Sequence, residues 1–161
     1  MEKKNIIERY LLLKPVIKGY IEIGIIVTAG ILCAVFDFWR ISVFRVINIT
    51  GIILLAAALL FHYYCERYHK NAHKETKDIN KLVITGVYSI IRHPIYLSLI
   101  ITNIGTALVF NAWISLIIGL VFSTSWVLTV IKEEKQLIFK FGKEYKEYMD
   151  KVRWRIIPGI F

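Results

Sequence analysis

The chain has 161 residues, a length typical of one domain, and 57% of them are hydrophobic, a larger share than in an ordinary soluble domain. The formal net charge is +9, but the basic residues lie between and beside long apolar runs, which is typical of membrane topology and argues against nucleic-acid binding. Cys33 and Cys65 are far apart and fit neither a disulfide nor a metal spacing. Composition therefore favours an all-α integral membrane protein.

Four apolar runs follow one another along the chain, and each approaches the length of a bilayer crossing. The predicted spans are residues 19–38, 46–64, 95–110 and 113–131. Glu22 and Asp37 lie near the two ends of the first span, where a carboxylate is less costly than at the bilayer centre. The third span reaches only about 24 Å as a helix, so the last two spans are predicted to form a helical hairpin that turns at Asn111.

The basic residues outside these runs predict an orientation. Successive segments from the first residue to the last carry five, two, six, none and eight Lys or Arg residues. This alternation fits four crossings with both termini and the central segment in the cytoplasm. The Lys- and Ile-rich composition predicts a prokaryotic plasma membrane, or the endoplasmic reticulum in a eukaryote.

The two ends of the chain are amphipathic. Before the first span, apolar side chains at Ile6, Ile7, Tyr10, Leu11 and Leu13 predict a short helix along the interface. The tail, residues 132–161, is predicted to be cytosolic. Gly142 is a helix stop there, and Tyr145, Tyr148 and Val152 follow on one face of the next helix.

Residues 80–96 join the second and third spans and combine charged, aromatic and turn-forming side chains. Pro94 disfavours helix in the residue before it and suits a first helical turn, so the third helix is predicted to begin at this motif. Its free backbone N–H groups would attract a carboxylate. Arg92, His93 and Tyr96 also fit a basic interfacial anchor with an aromatic belt, and the residues alone leave both interpretations open.

The acidic pair Glu133-Glu134 ends the last span. Adjacent helical residues point about 100° apart, so one carboxylate can face inward and hold a cofactor's ammonium group while the other faces water. A fully solvated pair beside Lys132 and Lys135 is the alternative.

Three histidines offer a different chemistry. His69 and His73 have a spacing that suits metal ligands on one helix face, and His62 precedes them. A non-enzymatic membrane scaffold or haem/metal protein therefore stays an alternative, although no acid or cysteine completes a convincing ligand set.

The motifs together resemble the isoprenylcysteine carboxyl methyltransferase family, which is related to phospholipid methyltransferases. The resemblance covers residues 80–158 and rests on these pieces in order: Leu82-Val-Ile-Thr-Gly-Val-Tyr88, Arg92-His-Pro-Ile-Tyr96, Glu133-Glu134, Leu137, Phe141-Gly142, Tyr145, Tyr148 and Arg155-Ile-Ile-Pro158. It implies an integral membrane methyltransferase that uses S-adenosyl-L-methionine and a lipidic or isoprenoid-type acceptor, either a carboxylate or an amine.

The resemblance also implies site residues. Carried over by position, the cofactor would be bound by Lys81, Leu82, Val83, Tyr88, His93, Pro94, Ile95, Tyr96 and Glu133. We add Arg155 as an anchor for an anionic substrate head group. No catalytic base is assigned, and no metal is expected.

Two departures from the family pattern concern the substrate. Members that act on prenylated cysteine carry an arginine four residues before the first glutamate of the pair, where this chain has Thr129, and many relatives have glycine where it has Ser98. These changes argue against a prenylcysteine acceptor. An NADPH-dependent membrane sterol or enone reductase shares the His-Pro motif, but the Ile95-Tyr96-Leu97-Ser98 string that follows differs from the pattern of those enzymes.

Overall fold

The computed structural model describes residues 5–11, 13–42, 45–68 and 81–161. Six α-helices and one short 3₁₀ helix account for the regular secondary structure within these ranges. The α-helices are α1 (Ile6–Leu11), α2 (Pro15–Val35), α3 (Val46–Tyr68), α4 (Pro94–Val109), α5 (Trp113–Phe141) and α6 (Lys143–Lys151), and the 3₁₀ helix is Gly86–Ser89. Helices α2, α3 and α5 are long and apolar enough to cross a bilayer, and α4 is a shorter apolar helix. The predicted fold class, an all-α integral membrane protein, is confirmed.

The observed helices differ from the predicted spans at their ends. Helix α2 begins at Pro15 rather than at residue 19, because proline suits the first turn of a helix. Helix α5 continues ten residues beyond the predicted end at Ile131, since Lys, Glu and Gln are good helix formers. Its 29 residues extend about 43 Å, so its last third projects beyond a hydrocarbon core of roughly 30 Å.

Helix α4 lies at the centre of the bundle and packs against α3, α5 and α2. Its contact with α3 is unusually close at two glycines. A Cβ added to Gly51 would lie 2.5 Å from the backbone nitrogen of Val109, and one added to Gly105 would lie 2.9 Å from the backbone nitrogen of Leu55. Small residues at such positions let helix backbones approach each other.

The antiparallel helices give the bundle two ends. The near face contains the start of α2, the end of α3 and the start of α4. Residues 132–141 of the predicted tail belong to α5, so the tail of the folded chain is residues 143–161, and it packs on this face. The far face contains the connection after α2 and the turn between α4 and α5, where Asn111 adopts a positive φ of 54°. The predicted turn at Asn111 is therefore confirmed, as is the helix stop at Gly142, which has a φ of 53°.

Because α2 begins at Pro15, Glu22 lies about two turns into the helix rather than near its end, and protein contacts replace the interfacial water that its predicted position suggests. The side chain is fully buried. Its carboxylate accepts hydrogen bonds from Asn103 Nδ2 at 2.8 Å, Ser125 Oγ at 2.9 Å and Trp126 Nε1 at 2.6 Å, and a further one from the Tyr10 hydroxyl. Residues of α1, α4 and α5 thus hold one carboxylate of α2.

Lys18 is the cation beside this carboxylate. Its Nζ lies 4.0 Å from Glu22 Oε1 and 4.0 Å from the centre of the Trp126 ring. It also donates a hydrogen bond to Thr129 Oγ1 at 2.7 Å. Both charges are therefore paired inside the protein, which is the usual condition for charged groups at membrane depth.

Candidate functional site

The candidate site is built around the start of α4 at the near face. Pro94 occupies the first helical turn, as the sequence predicts. The two residues before it pair with the tail: the Arg92 backbone N–H donates to Trp154 O at 2.9 Å, and the His93 N–H donates to Arg155 O at 2.8 Å. The His-Pro motif is thus fixed by a segment about sixty residues later in the chain.

Glu134 joins this motif to the tail through charge pairs. Its Oε1 accepts a hydrogen bond from Arg92 Nε at 2.7 Å, and its Oε2 accepts one from Arg155 Nε at 2.7 Å. His93 Nε2 lies 3.4 Å from the same Oε1. The Glu134 side chain is only 5% exposed and that of Glu133 16%, so the expectation that one of the pair faces inward while the other faces water is wrong. Both glutamates face inward, since α5 continues past the membrane under the tail.

Arg92 completes the cluster. Its Nη1 donates to the carbonyl oxygens of Val152 at 2.5 Å and Arg153 at 2.9 Å. Two arginines and one glutamate therefore share this cluster, which leaves one excess positive charge. Arg155 is the more accessible of the two arginines, with 36% of its side chain exposed.

A cleft opens between the start of α4, the end of α5 and the tail helix α6. Its walls carry both apolar and polar side chains, contributed by Leu82, Val83, Tyr88, Arg92, His93, Ile95, Tyr96, Glu133, Leu137, Tyr145 and Tyr148. All but two of the cofactor-binding residues predicted from the family resemblance line it. The exceptions are Lys81, which is exposed, and Pro94, which is buried in the helix start.

Four residues line the cleft in addition to those assigned from the resemblance: Arg92, Leu137, Tyr145 and Tyr148. Their signal was present in the sequence, because the same motif string contains all of them and the tyrosines share one face of α6. Leu137, Tyr145, Tyr148 and Val152 form one apolar cluster. The tail helix is therefore a wall of the cleft.

The two tail tyrosines differ in their hydrogen bonding. The Tyr148 hydroxyl donates to the backbone oxygen of Tyr88 at 2.6 Å and so ties α6 to the 3₁₀ helix. The Tyr145 hydroxyl is buried and has no hydrogen-bond partner within the described ranges. Burial raises the pKa of Tyr145 well above its ordinary value, so this hydroxyl stays a neutral donor. An unsatisfied buried hydroxyl costs about 1–3 kcal/mol, which a bound polar ligand would recover.

Glu133 is the carboxylate that lines the cleft. Its side chain is 16% exposed, and its Oε2 lies 3.8 Å from His93 Nδ1. The His93 ring in turn stacks on Tyr96 with 5.7 Å between ring centres. The cleft thus offers one carboxylate, a helix start and several aromatic faces.

The enclosed space of the cleft is about 70 Å³. Pockets that hold ligands of drug size measure roughly 300–1,000 Å³. Its walls therefore lie close together, and a nucleoside-sized ligand requires them to separate.

The histidines predicted as possible metal ligands are not brought together in the described part of the chain. His69 and His73 lie outside it. His62 Nδ1 lies 2.7 Å from Ser98 Oγ, and no group of three metal-ligating side chains occurs among the described residues.

Comparison with known proteins adds the family context. The family model for phospholipid methyltransferases matches residues 25–144. The chain is 38% identical over 90 residues to a protein-S-isoprenylcysteine O-methyltransferase of Dictyostelium discoideum, covering 54% of this chain and 37% of that protein. It is 34% identical over 85 residues to the protein of the same name from Schizosaccharomyces pombe, covering 52% and 36%. The matched part spans little more than a third of the length of these curated relatives. These matches confirm the family resemblance inferred from the motifs.

Proposed function

We propose that this chain, which belongs to the phospholipid methyltransferase family, is an S-adenosylmethionine-dependent methyltransferase that modifies a lipidic acceptor at the membrane. The relatives named above are methyltransferases by name. The observation that carries the proposal is the near-face cleft, where Glu133 and Tyr145 lie among apolar and aromatic walls and the Tyr145 hydroxyl has no hydrogen-bond partner among the described residues.

Each part of the cofactor has a complementary group in the cleft. Glu133 binds the ammonium group, and the start of α4 receives the carboxylate through free backbone N–H groups and the helix dipole. The tyrosine rings face the sulfonium, since cations are attracted to aromatic faces. Leu82, Val83 and Leu137 provide apolar contacts for the adenine. The side chains of Lys81 and Pro94 do not line the cleft. These two residues contribute to cofactor binding through the backbone and by setting the start of α4.

The chemistry requires alignment more than acid–base catalysis. When bound, the cofactor would supply an electrophilic methyl group. The acceptor's lone pair would form the new bond to the methyl carbon, and the electrons of the broken carbon–sulfur bond would remain on sulfur. The protein orients the two reactants and excludes water, and such orientation supplies roughly 7–11 kcal/mol. A carboxylate acceptor needs no base, whereas an amine acceptor must reach the cleft unprotonated.

Cofactor binding requires the cleft to widen from its present volume. The stretch from Leu82 to Tyr88 forms one wall and is held by the hydrogen bond from Tyr148 to the Tyr88 carbonyl. Outward movement of this stretch would admit the cofactor. The lipidic acceptor approaches from the bilayer, and the exposed end of Arg155 binds its anionic head group, using the excess positive charge of the Arg92–Glu134–Arg155 cluster.

Calorimetric titration of S-adenosylmethionine into detergent-purified protein tests the proposal, with NADPH titrated in parallel. We expect saturable binding of S-adenosylmethionine alone. Glu133→Gln should weaken it about tenfold to a hundredfold, because a hydrogen bond between charged groups contributes about 1.5–3 kcal/mol. Tyr145→Phe should weaken it several-fold without lowering the unfolding temperature, since no described residue forms a hydrogen bond with its hydroxyl.

Glu144→Gln is the matched control, because Glu144 is exposed and adjacent to Tyr145 on α6. Transfer of a labelled methyl group from the cofactor into extracted lipid then identifies the acceptor class. Folded protein that binds no S-adenosylmethionine, or binds it equally well after Glu133→Gln, would overturn the proposal.

A further inference from the structure

We propose that the far face holds a second binding site, which takes one anionic phospholipid of the far leaflet. The site is a cavity of about 460 Å³ between α2 and α3, larger than the near-face cleft. Its floor is the end of α4, whereas the cleft lies at the start of that helix. The sixteen residues of α4 place the two about 24 Å apart, so the cavity does not belong to the methyl-transfer site.

The cavity follows from how the helices pack. Helix α3 packs along α4, whereas α2 packs against α4 and α5, so a gap with α4 as its floor remains between α2 and α3. Cys33, Ala34, Ile49, Ile52, Val109 and Phe110 form its apolar lining. Ile49 and Ile52 are each more than half exposed, and the gap therefore opens sideways toward the acyl chains of the bilayer.

Basic residues stand at the rim of this apolar space. The connections at the far face contain two basic residues, Arg40 and Arg45, and both line the cavity. Arg40 pairs with Asp37. Arg45 has no ion-pair or hydrogen-bond partner for its side chain among the described residues. The rim therefore presents one unmatched positive charge, which an anionic head group would neutralise.

Hydrogen bonds fix the positions of the elements that form the rim of the cavity. The Asn111 side chain donates to Ser42 O at 2.5 Å and accepts from the Ser42 N–H at 3.1 Å. Asn48 Nδ2 donates to Val109 O at 2.7 Å. These contacts tie α3 and the connection after α2 to the end of α4, so the cavity exists before a ligand binds. An apolar space with one cation at its mouth matches a lipid with one net negative charge.

The test uses delipidated protein in neutral detergent, titrated with phosphatidylglycerol or with phosphatidylcholine of the same acyl chains. Native mass spectrometry counts the lipids retained per protein. We expect one phosphatidylglycerol to bind saturably and about tenfold more tightly than phosphatidylcholine. Arg45→Gln should remove this preference, because it removes the unmatched charge and leaves the cavity.

Two further variants make the outcome decisive. Arg67→Gln changes an exposed arginine at the opposite end of α3 and should leave lipid binding unchanged. Ile52→Trp fills the cavity and should weaken binding of both lipids, while its unfolding temperature in detergent reports that the variant remains folded. Equal binding of the two lipids, binding that never saturates, or equal losses in Arg45→Gln and Arg67→Gln would show ordinary boundary lipid and overturn the site.

Discussion

The buried carboxylate of Glu134 should hold the tail against the start of α4, and Glu134→Gln tests this. The glutamine keeps one carbonyl oxygen and places an N–H₂ group against an arginine. Arg92 is 4% exposed, so it would lose the buried counter-charge that Glu134 supplies. Breaking a buried ion pair costs about 3–5 kcal/mol. Arg155 is partly exposed, so water can replace its hydrogen bond to Glu134, and we therefore take the lower limit of about 3 kcal/mol. This loss raises the population of molecules with a detached tail about a hundredfold.

Hydrogen exchange followed by mass spectrometry measures this population. The backbone N–H groups of Arg92 and His93 donate to carbonyls of Trp154 and Arg155, so they exchange when the tail detaches. In Glu134→Gln we expect about hundredfold faster exchange in peptides that contain these two amides. Glu133→Gln is the control, because it makes the same chemical change one residue earlier and should leave their exchange rate unaltered.

Cofactor affinity alone would not separate the two glutamates. In the function proposed above, Glu133→Gln removes a direct contact with the cofactor, whereas Glu134→Gln loosens the helix that carries Tyr145 and Tyr148. Both variants are therefore expected to bind S-adenosylmethionine more weakly. Wild-type exchange in Glu134→Gln would refute the role of this ion pair in holding the tail, and equal acceleration in both variants would attribute the effect to charge removal in general.

Two other predictions concern the membrane bundle. Gly51→Ala should lower the unfolding temperature in detergent, because its Cβ would lie 2.5 Å from the Val109 nitrogen. Gly24→Ala should not, because a Cβ there would meet no atom of a packing neighbour within 4 Å among the described residues. Glu22→Leu should destabilise the protein by about 3–5 kcal/mol, because it leaves the buried Lys18 cation with few polar contacts. Lys18→Met should destabilise it by clearly less, because the Glu22 carboxylate keeps its four hydrogen bonds. Equal losses in the members of either pair, measured by thermal unfolding, would contradict the packing described above.

The helices and turns were predictable because their signals are local. Apolar run length gives the spans, Pro94 marks the start of α4, and Asn111 and Gly142 mark a turn and a helix end. The extension of α5 past Ile131 was missed, since hydropathy falls at Lys132 while helix propensity does not. Orientation across the membrane stays a prediction from charge counts.

The burial of charged groups was not predictable, because it depends on partners that are distant in sequence. From the sequence, Glu22 is interpreted as an interfacial carboxylate. Its burial follows from hydrogen bonds with Asn103 and Trp126, which only the folded chain brings close to it. For Glu134, helical geometry predicts only that its side chain points in a different direction from that of Glu133. That it points toward Arg92 and Arg155 follows from the path of the tail, which no local pattern specifies.

The charges near position 129 show how the fold changes the interpretation of a substitution. The family resemblance implies an arginine where this chain has Thr129, and the sequence alone indicates a lost cation. The structure brings Lys18 Nζ to 2.7 Å from Thr129 Oγ1, but Glu22 balances its charge, so this position offers an acceptor carboxylate no unmatched cation. The excess positive charge beside the cleft lies instead in the Arg92–Glu134–Arg155 cluster, outside the membrane-embedded core. In the function proposed above, an anionic acceptor head group would therefore meet its cation at Arg155 rather than near position 129.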